Sequence, residues 1–355
     1  MKTHISHEEL TCLTTALFKA NGLPQRDADR VAECLVLADL RGVSSHGISR
    51  LPIYLERLRS GLVNPNPSLA LEEPTPVCAL LDGDNGFGFV VATRAMEAAI
   101  KRAEKFGIGM VGVKHSAHFG MAACYLLQAI DKGYASFVFT NASPTMPVWG
   151  ASEPFLGTSP FAFGAPGGKG GLPMILDMAT SVVARGKIRR AAALGEPVPE
   201  GWALDKDGNP TTDAKKAYDG IILPLGGPKG SALSLMMEVM AGVMTGAAFA
   251  GDVGNQYEDM DRPQDVGHCF IAINPKIFMG DDYAERMQTL MTRAKASRPI
   301  DPAQPVLAPG EPEALREAER RRTGIPLEEE DIMMLAALAD KAGIKADWLN
   351  SKKEF

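Results

Sequence analysis

Apolar residues recur at helical spacing from the start of the chain. Ser6-x-x-Glu9 has the form of a capping box and precedes Leu10, Leu13 and Leu17, so a helix is predicted up to the break at Gly22-Leu23-Pro24. A second amphipathic run carries Val31, Leu35 and Ala38 and stops near Gly42. A third is expected to begin after Ser44-Ser45-His46-Gly47 and to end at Gly61, with Leu51, Leu55 and Leu58 on its apolar stripe. The N-terminal part therefore reads as a small helical unit.

From about residue 76 the texture changes. Short β-prone runs at 77–81, 109–113 and 135–140 are separated by Gly and Pro clusters, with a helix expected over 92–106. Further strands are expected at 174–176 and 270–273, and helices at 183–194 and 231–248. Asp207-Gly208-Asn209-Pro210 marks a turn in a loop-rich stretch. After Pro299, Pro302 and Pro305 the chain turns helical again, with a charged, solvated stretch at 313–322 and an acidic-led amphipathic one at 327–342. Strands and helices mixed at irregular intervals argue for an α/β fold.

The chain has 355 residues, enough for one large or two ordinary domains, and 45% hydrophobic with 23% charged residues is ordinary globular composition. A net charge of −6 provides no basic footprint for nucleic acid. Cys12, Cys34, Cys78, Cys124 and Cys269 are widely spaced, with no CxxC pair, which reads as reduced thiols and a cytoplasmic location. Met1-Lys2-Thr3-His4 leads straight into a helix signal with no apolar leader. The stretch 233–250 is interrupted by Glu238 and hydroxyl residues, so it reads as a buried helix and no membrane span is expected.

Candidate chemistry comes without a Rossmann fingerprint. Gly83-Asp84-Asn85-Gly86-Phe87-Gly88 has the Gly spacing of G-x-G-x-x-G reversed and is more simply a tight turn; no P-loop occurs. Four other groupings remain. If a helix starts near Gly47, His46, Arg50 and Tyr54 lie on one face, where an imidazole could move a proton and a guanidinium fork could bind a carboxylate. A capping His, a surface Arg and a packing Tyr would give the same pattern. His115-Ser116-Ala117-His118-Phe119-Gly120 follows a strand end, where α/β folds place ligands; no third metal ligand is near, so no metal is expected. Gly157-Thr158-Ser159-Pro160 and Asp177-Met178-Ala179-Thr180-Ser181 expose small hydroxyls and backbone N–H groups that suit a phosphate or ribose, or plain turns. Gly226-Gly227-Pro228-Lys229-Gly230-Ser231 opens a helix, and its Lys with free helix N–H groups would form an anion site, or simply a helix start.

Taken together, Ser45-His46-Gly47-Ile48-x-Arg50, His118-Phe119-Gly120, Gly157-Thr158-Ser159-Pro160, residues 177–181, Gly227-x-Lys229-Gly230 and Pro309-Gly310-Glu311 occur in an order that resembles the type-2 malate/L-lactate dehydrogenases. That group also contains sulfolactate and ureidoglycolate dehydrogenases, 2,3-diketogulonate reductase and Δ1-piperideine-2-carboxylate reductases. The resemblance implies a homodimer with a non-Rossmann NAD(P)-binding α/β domain built on a mixed sheet (76–299) and a helical domain made from both chain ends (1–75 and 300–355). It implies that His46 and His118 flank the reacting carbon, while Ser45, Arg50 and Tyr54 contact the substrate. Gly157, Thr158, Ser159, Leu176, Asp177, Met178, Ala179, Thr180, Ser181, Lys229, Gly230, Pro309, Gly310 and Glu311 would line NAD or NADP.

The expected reaction is hydride transfer between NAD(P) and a small 2-hydroxy or 2-keto carboxylate such as malate, lactate or sulfolactate. The imine-reducing branch carries an acidic residue where this chain has Lys187, which favours the hydroxy-acid branch and makes Lys187 a candidate substrate contact. Reduction of a cyclic imine carboxylate is the alternative within enzymes. From another class, a catalytically silent NAD(P)-binding dimer is the alternative, which retention of His46, His118 and Arg50 disfavours. Between the two histidines, His46 is favoured as proton donor because it is expected one helical turn from Arg50.

Overall fold

The computed structural model describes residues 2–346, 348 and 349. A short strand, β1 (Thr3–Ile5), precedes the first helix, where the sequence reading expected the helix directly. Ser6 then accepts the Glu9 N–H and caps α1 (His7–Ala20), and α2 (Gln25–Leu40) follows Pro24. The third expected helix is broken into pieces. Two single 3-10 turns, Ser44–His46 and Ile48–Arg50, precede α3 (Leu51–Arg59), which carries a proline in its first turn. Between the 3-10 turns Gly47 is extended, and a Cβ there would lie 2.2 Å from the Asp39 carboxylate.

The middle of the chain forms β2 (Ala70–Glu72), β3 (Cys78–Asp82), α4 (Gly88–Phe106), β4 (Ile108–Ser116), α5 (Ala123–Ile130), β5 (Ala135–Thr140), β6 (Phe161–Ala165) and β7 (Met174–Met178). It continues through α6 (Arg185–Leu194), β8 (Ala203–Leu204), α7 (Ala214–Asp219) and β9 (Ile221–Ile222) to α8 (Pro228–Met237). The single helix expected over 231–248 is corrected: α8 passes into a π-helical turn at Glu238–Val243 and ends there, where the buried Glu238 carboxylate accepts the Ala250 N–H at 3.2 Å. The last part holds β10 (Val266–Ile273), α9 (Lys276–Met279), α10 (Asp282–Lys295), α11 (Glu311–Thr323), β11 (Ile325–Leu327) and α12 (Glu329–Ala342).

Seven strands form one mixed sheet in the order β2-β3-β4-β10-β5-β6-β7. Only β3 and β4 run parallel; the other neighbours are antiparallel. Alternation along the strands sends Val111, Val113, Val138, Ala162 and Phe270 into the core shared with α4 and α5. Phe137, Phe139, Phe161 and Cys269 pack instead with Met237 and Met240 from α8 and the π turn. The two ends of the chain meet: β1 pairs with β11, and α1 and α12 share the main core with α2 and α3.

The charged stretch expected to be solvated is more engaged than that. Arg320 of α11 donates to the Asp39 carbonyl, Arg316 to the Arg41 carbonyl, and Glu317 pairs at 2.9 Å with buried Arg41. Among the described residues no helix is long and apolar enough to cross a membrane.

Gly88, the first residue of α4, packs against the backbone that carries His118. An ideal Cβ at Gly88 would sit 2.1 Å from the Ala117 carbonyl oxygen and 2.4 Å from that of His118. Gly88→Ala is therefore expected to destabilise the fold by about 1–3 kcal/mol, as overpacking does, and to push His118 out of place. Thermal denaturation together with turnover checks this; an unchanged Tm would mean that the helix start yields without strain.

Candidate active site

Three elements converge on one cleft. The 3-10 turns bring His46 and Arg50, α3 brings Tyr54, and the segment after β4 brings His118. The imidazoles of His46 and His118 stack with centroids 5.7 Å apart and planes at 23°. Tyr54 Oη and His118 Nδ1 are hydrogen-bonded at 2.7 Å, and the Gly120 N–H approaches the same nitrogen at 3.3 Å. Ser45 Oγ is hydrogen-bonded to His46 Nδ1 at 2.9 Å. Five of the expected residues thus gather here, although not on one helical face. Tyr54 is turned to His118 and its ring is buried, so its hydroxyl serves the histidine before any substrate.

The Asp39 carboxylate holds the 3-10 turns by accepting the Ile48 N–H at 2.8 Å, and burial pushes its pKa up to about 7. Burial in the cleft and the Arg50 guanidinium lower the His46 pKa to about 4. Burial, then Arg50, His46 and His268, hold His118 well below the usual imidazole value. Burial also raises the Tyr54 hydroxyl, which stays protonated. At neutral pH the cleft thus holds two neutral imidazoles beside one permanent cation. A bound carboxylate would offset that cation and make either imidazole easier to protonate.

Three residues of the cleft gave no signal in the sequence. Tyr257 Oη accepts a hydrogen bond from Arg50 Nη1, and its ring lies 5.5 Å from the guanidinium carbon. Gln264 Oε1 accepts the His118 N–H at 3.2 Å, and buried Arg57 donates to the carbonyls of Gln256, Asp259 and Arg262. All three depend on contacts between segments far apart in the chain, so no local motif announces them.

Several expected cofactor residues form a second cluster. Thr180 Oγ1 donates to the Ser159 carbonyl, Ser234 Oγ to the Gly157 carbonyl, and the Leu225 N–H to the Thr180 carbonyl. One expectation is corrected: the first N–H groups of α8 are not free. Those of Lys229, Gly230 and Ser231 are taken by the carbonyls of Gly226, Leu225 and Gly227. The Lys229 ammonium is exposed and has no ion pair among the described residues, and Ser159 Oγ is buried without a partner. A lone cation and an orphaned hydroxyl fit the polar parts of a nucleotide.

The remaining expected residues are dispersed or committed. Leu176, Asp177 and Met178 lie on β7, where the Asp177 carboxylate accepts the Ala123 N–H at the start of α5. Ser181 Oγ donates to the Val183 carbonyl, next to Thr180 and half-buried Ala179. The Pro309 carbonyl accepts the Ile175 N–H, placing Gly310 against β7. Glu311 pairs with Lys295 and accepts the Ala308 N–H. Thr158 is half-buried, and Lys187 is exposed on α6, where among the described residues no hydrogen bond or ion pair joins it to the histidine cleft. His115 is engaged with Asp82 at 3.0 Å, and among the described residues no group of three or more His, Cys, Asp or Glu could hold a metal ion.

Comparison with known proteins gives a consistent result. A family model described as malate/L-lactate dehydrogenase matches residues 5–336. The L-sulfolactate dehydrogenase of Methanocaldococcus jannaschii is 38% identical over 335 residues, covering 93% of this chain and 95% of the relative. A solved structure of sulfolactate dehydrogenase from that organism superimposes with a TM-score of 0.90 at 36% identity, covering 97% of this chain and 98% of the other. The ureidoglycolate dehydrogenase (NAD(+)) of Escherichia coli is 35% identical, over 91% of this chain and 92% of its own. The (2R)-3-sulfolactate dehydrogenase (NADP(+)) of Chromohalobacter salexigens is 37% identical, over 82% and 86%.

The depressed imidazoles set a pH expectation. A base that must be neutral to accept a proton is already neutral at pH 7 when burial holds its pKa well below the usual imidazole value, as it does for His118. The kcat/KM for oxidation, which reports the free enzyme, should stay flat between about pH 6 and 8 and fall only at more acidic pH. A clear inflection at an ordinary imidazole pKa in that profile would show that burial does not shift the group that titrates.

Proposed function

We propose, for a chain that belongs to the malate/L-lactate dehydrogenase family, that the cleft around His46 and His118 binds and turns over the substrate. The protein is an oxidoreductase that moves a hydride between NAD or NADP and a small 2-hydroxy or 2-keto carboxylate. Malate, lactate or sulfolactate is the proposed type of substrate. The observation that carries the site is the Tyr54–His118 hydrogen bond, which fixes one imidazole beside a second and close to a guanidinium.

Bound NAD(P) supplies the hydride donor or acceptor for C2 of the substrate. Arg50 holds the carboxylate with paired N–H bonds. In oxidation His118 takes the hydroxyl proton at Nε2 and in reduction returns it to the carbonyl oxygen, with Nδ1 held by Tyr54 Oη. His46, fixed by Ser45, flanks the reacting carbon on the other side. The helical turn that favoured His46 as donor is not formed, and the partner that holds His118, Tyr54, is itself buried, whereas Ser45 is half-buried. Lys229, Gly230, residues 157–159 and 176–181, and Pro309-Gly310-Glu311 would hold the nucleotide, without the all-parallel sheet of a Rossmann domain. Lys187 would reach the substrate only from outside the histidine cleft.

The larger organisation is proposed on the same basis. Residues 1–75 and 300–355 form the helical domain (1, 347 and 350–355 lie outside the described residues), and 76–299 form the nucleotide-binding domain. A homodimer would cover the exposed apolar face of Leu235, Met236, Val239, Val243, Met244 and Phe249. Five free cysteines agree with a cytoplasmic setting.

A panel of 2-keto acids and cyclic imine carboxylates with NADH and NADPH tests the substrate class; turnover of the imines alone would overturn it. With the preferred keto acid, His118→Asn should lower kcat by about 10²–10⁴ and flatten the pH profile, whereas His46→Asn should mainly raise KM. The opposite pattern would move the proton to His46. Lys229→Ala should weaken cofactor binding about tenfold, the loss of one charge-assisted contact. Unchanged NADH binding in a fluorescence titration would remove Lys229 from the nucleotide site.

A further inference from the structure

The Arg50 fork is already partly engaged by the protein. Its Nε donates to the Ser45 carbonyl at 2.6 Å, and Nη1 donates to the Tyr257 hydroxyl. A guanidinium has five N–H donors, so the three left all lie at the Nη1/Nη2 end. A carboxylate must therefore dock end-on, one oxygen to each terminal nitrogen. The oxygen seated on Nη1 then comes beside Tyr257 Oη, which neighbours the same nitrogen. Tyr257 Oη accepts from Arg50, and among the described residues its own O–H has no acceptor. The phenol is 51% exposed, so water or an anion can reach it.

The loop bearing Tyr257 lies between the π turn and β10 and is tied down at several points. Asn255 Oδ1 accepts the Tyr257 N–H at 2.9 Å, and Asp259 Oδ2 accepts the Asn255 N–H at 3.0 Å. The main clamp is Arg57, only 2% exposed, whose Nη1 reaches the carbonyls of Gln256 at 3.2 Å and Asp259 at 2.8 Å. Its Nη2 donates to the Arg262 carbonyl at 3.0 Å. At the end of the loop, Gln264 bridges the His118 N–H and the Gly254 carbonyl. Arg57 follows Tyr54 by three residues on α3. One helix thus orients the imidazole with Tyr54 and the loop with Arg57.

We propose that Tyr257 is a substrate-binding residue that donates its phenolic hydrogen to the same carboxylate that Arg50 holds, with Arg57 as the positioning residue for its loop. The proposal rests on the reading of Arg50 as carboxylate anchor and extends it to a three-donor subsite selective for 2-hydroxy and 2-keto acids over their neutral amides. Tyr257→Phe removes only the hydroxyl and keeps the ring over the guanidinium. It should raise the keto-acid KM about tenfold, the range for a hydrogen bond to a charged group, with kcat within about twofold and NADH affinity unchanged. Arg57→Met should raise KM in the same direction, and adding Tyr257→Phe to it should bring little further loss, since a displaced loop no longer presents the phenol.

Arg50→Lys, measured in parallel, separates this proposal from the reading beneath it. An unchanged KM in Tyr257→Phe with a raised KM in Arg50→Lys would overturn the role of Tyr257 and leave the anchor standing. An unchanged KM in both would overturn the anchor as well. Should Arg57→Met fail to fold, the Tyr257→Phe result alone decides.

Discussion

The hydrogen bond between Tyr54 and His118 spans 64 residues of sequence, and the cleft is arranged around it. A buried phenol must find a partner or lose the desolvation cost of its hydroxyl. Tyr54 is wedged edge-to-face against Phe87 and Phe89 at 5.4 and 5.6 Å, so its ring has little freedom to look elsewhere. His118 is the partner within reach. Its orientation is therefore a consequence of core packing rather than of surface chemistry. Phe87 and Phe89 follow the tight turn at Asp84 and Asn85, both at positive φ, so even that turn contributes to the placement of the imidazole.

Around this bond the site is assembled by buried polar groups whose burial would be costly if any partner were missing. The Asp39 carboxylate sits against Gly47 and holds the Ile48 N–H, which shapes the two 3-10 turns. Its carbonyl is held in turn by Arg320 from the far end of the chain. Arg57 satisfies three loop carbonyls that no strand or helix would otherwise pair. Such groups contribute less to net stability than apolar side chains of the same volume would. What they provide is a fixed direction for each backbone segment, and catalysis needs that more than stability.

Much of this could be read from the sequence where a local pattern dominates. The N-cap at Ser6 was visible, as was β5, whose β-branched and aromatic run has the expected bounds. The segment at Ser44–Arg50 was misread, because helical spacing of apolar residues does not reveal a carboxylate packed on Gly47. Strand β6 has no alternation strong enough to stand out, and it forms because β5 and β7 flank it. Helix α10 went unnoticed because its buried face rests on Tyr283, Met287 and Met291 amid charges. The histidines were legible from their glycine-flanked setting. Tyr257 was not, since its meaning depends on Arg50, 207 residues away.

The mostly antiparallel sheet also constrains how a dinucleotide can be held. A doubly wound parallel sheet points several helix N-termini at one crevice and binds pyrophosphate with free backbone N–H groups. Within this seven-stranded sheet a single parallel pair exists, and the first N–H groups of α8 are spent on the carbonyls of its own glycine-rich turn. On the proposed reading, negative charge must therefore be met by side chains, above all the Lys229 ammonium, with Ser159 Oγ as a buried donor. An exposed ammonium is screened by salt within about 10 Å at 0.1 M, while a rigid backbone cradle is screened less. Cofactor affinity in this architecture should depend on ionic strength more steeply than it does where helix termini carry the charge. That dependence follows from the spent backbone donors of α8, which leave the charge to Lys229.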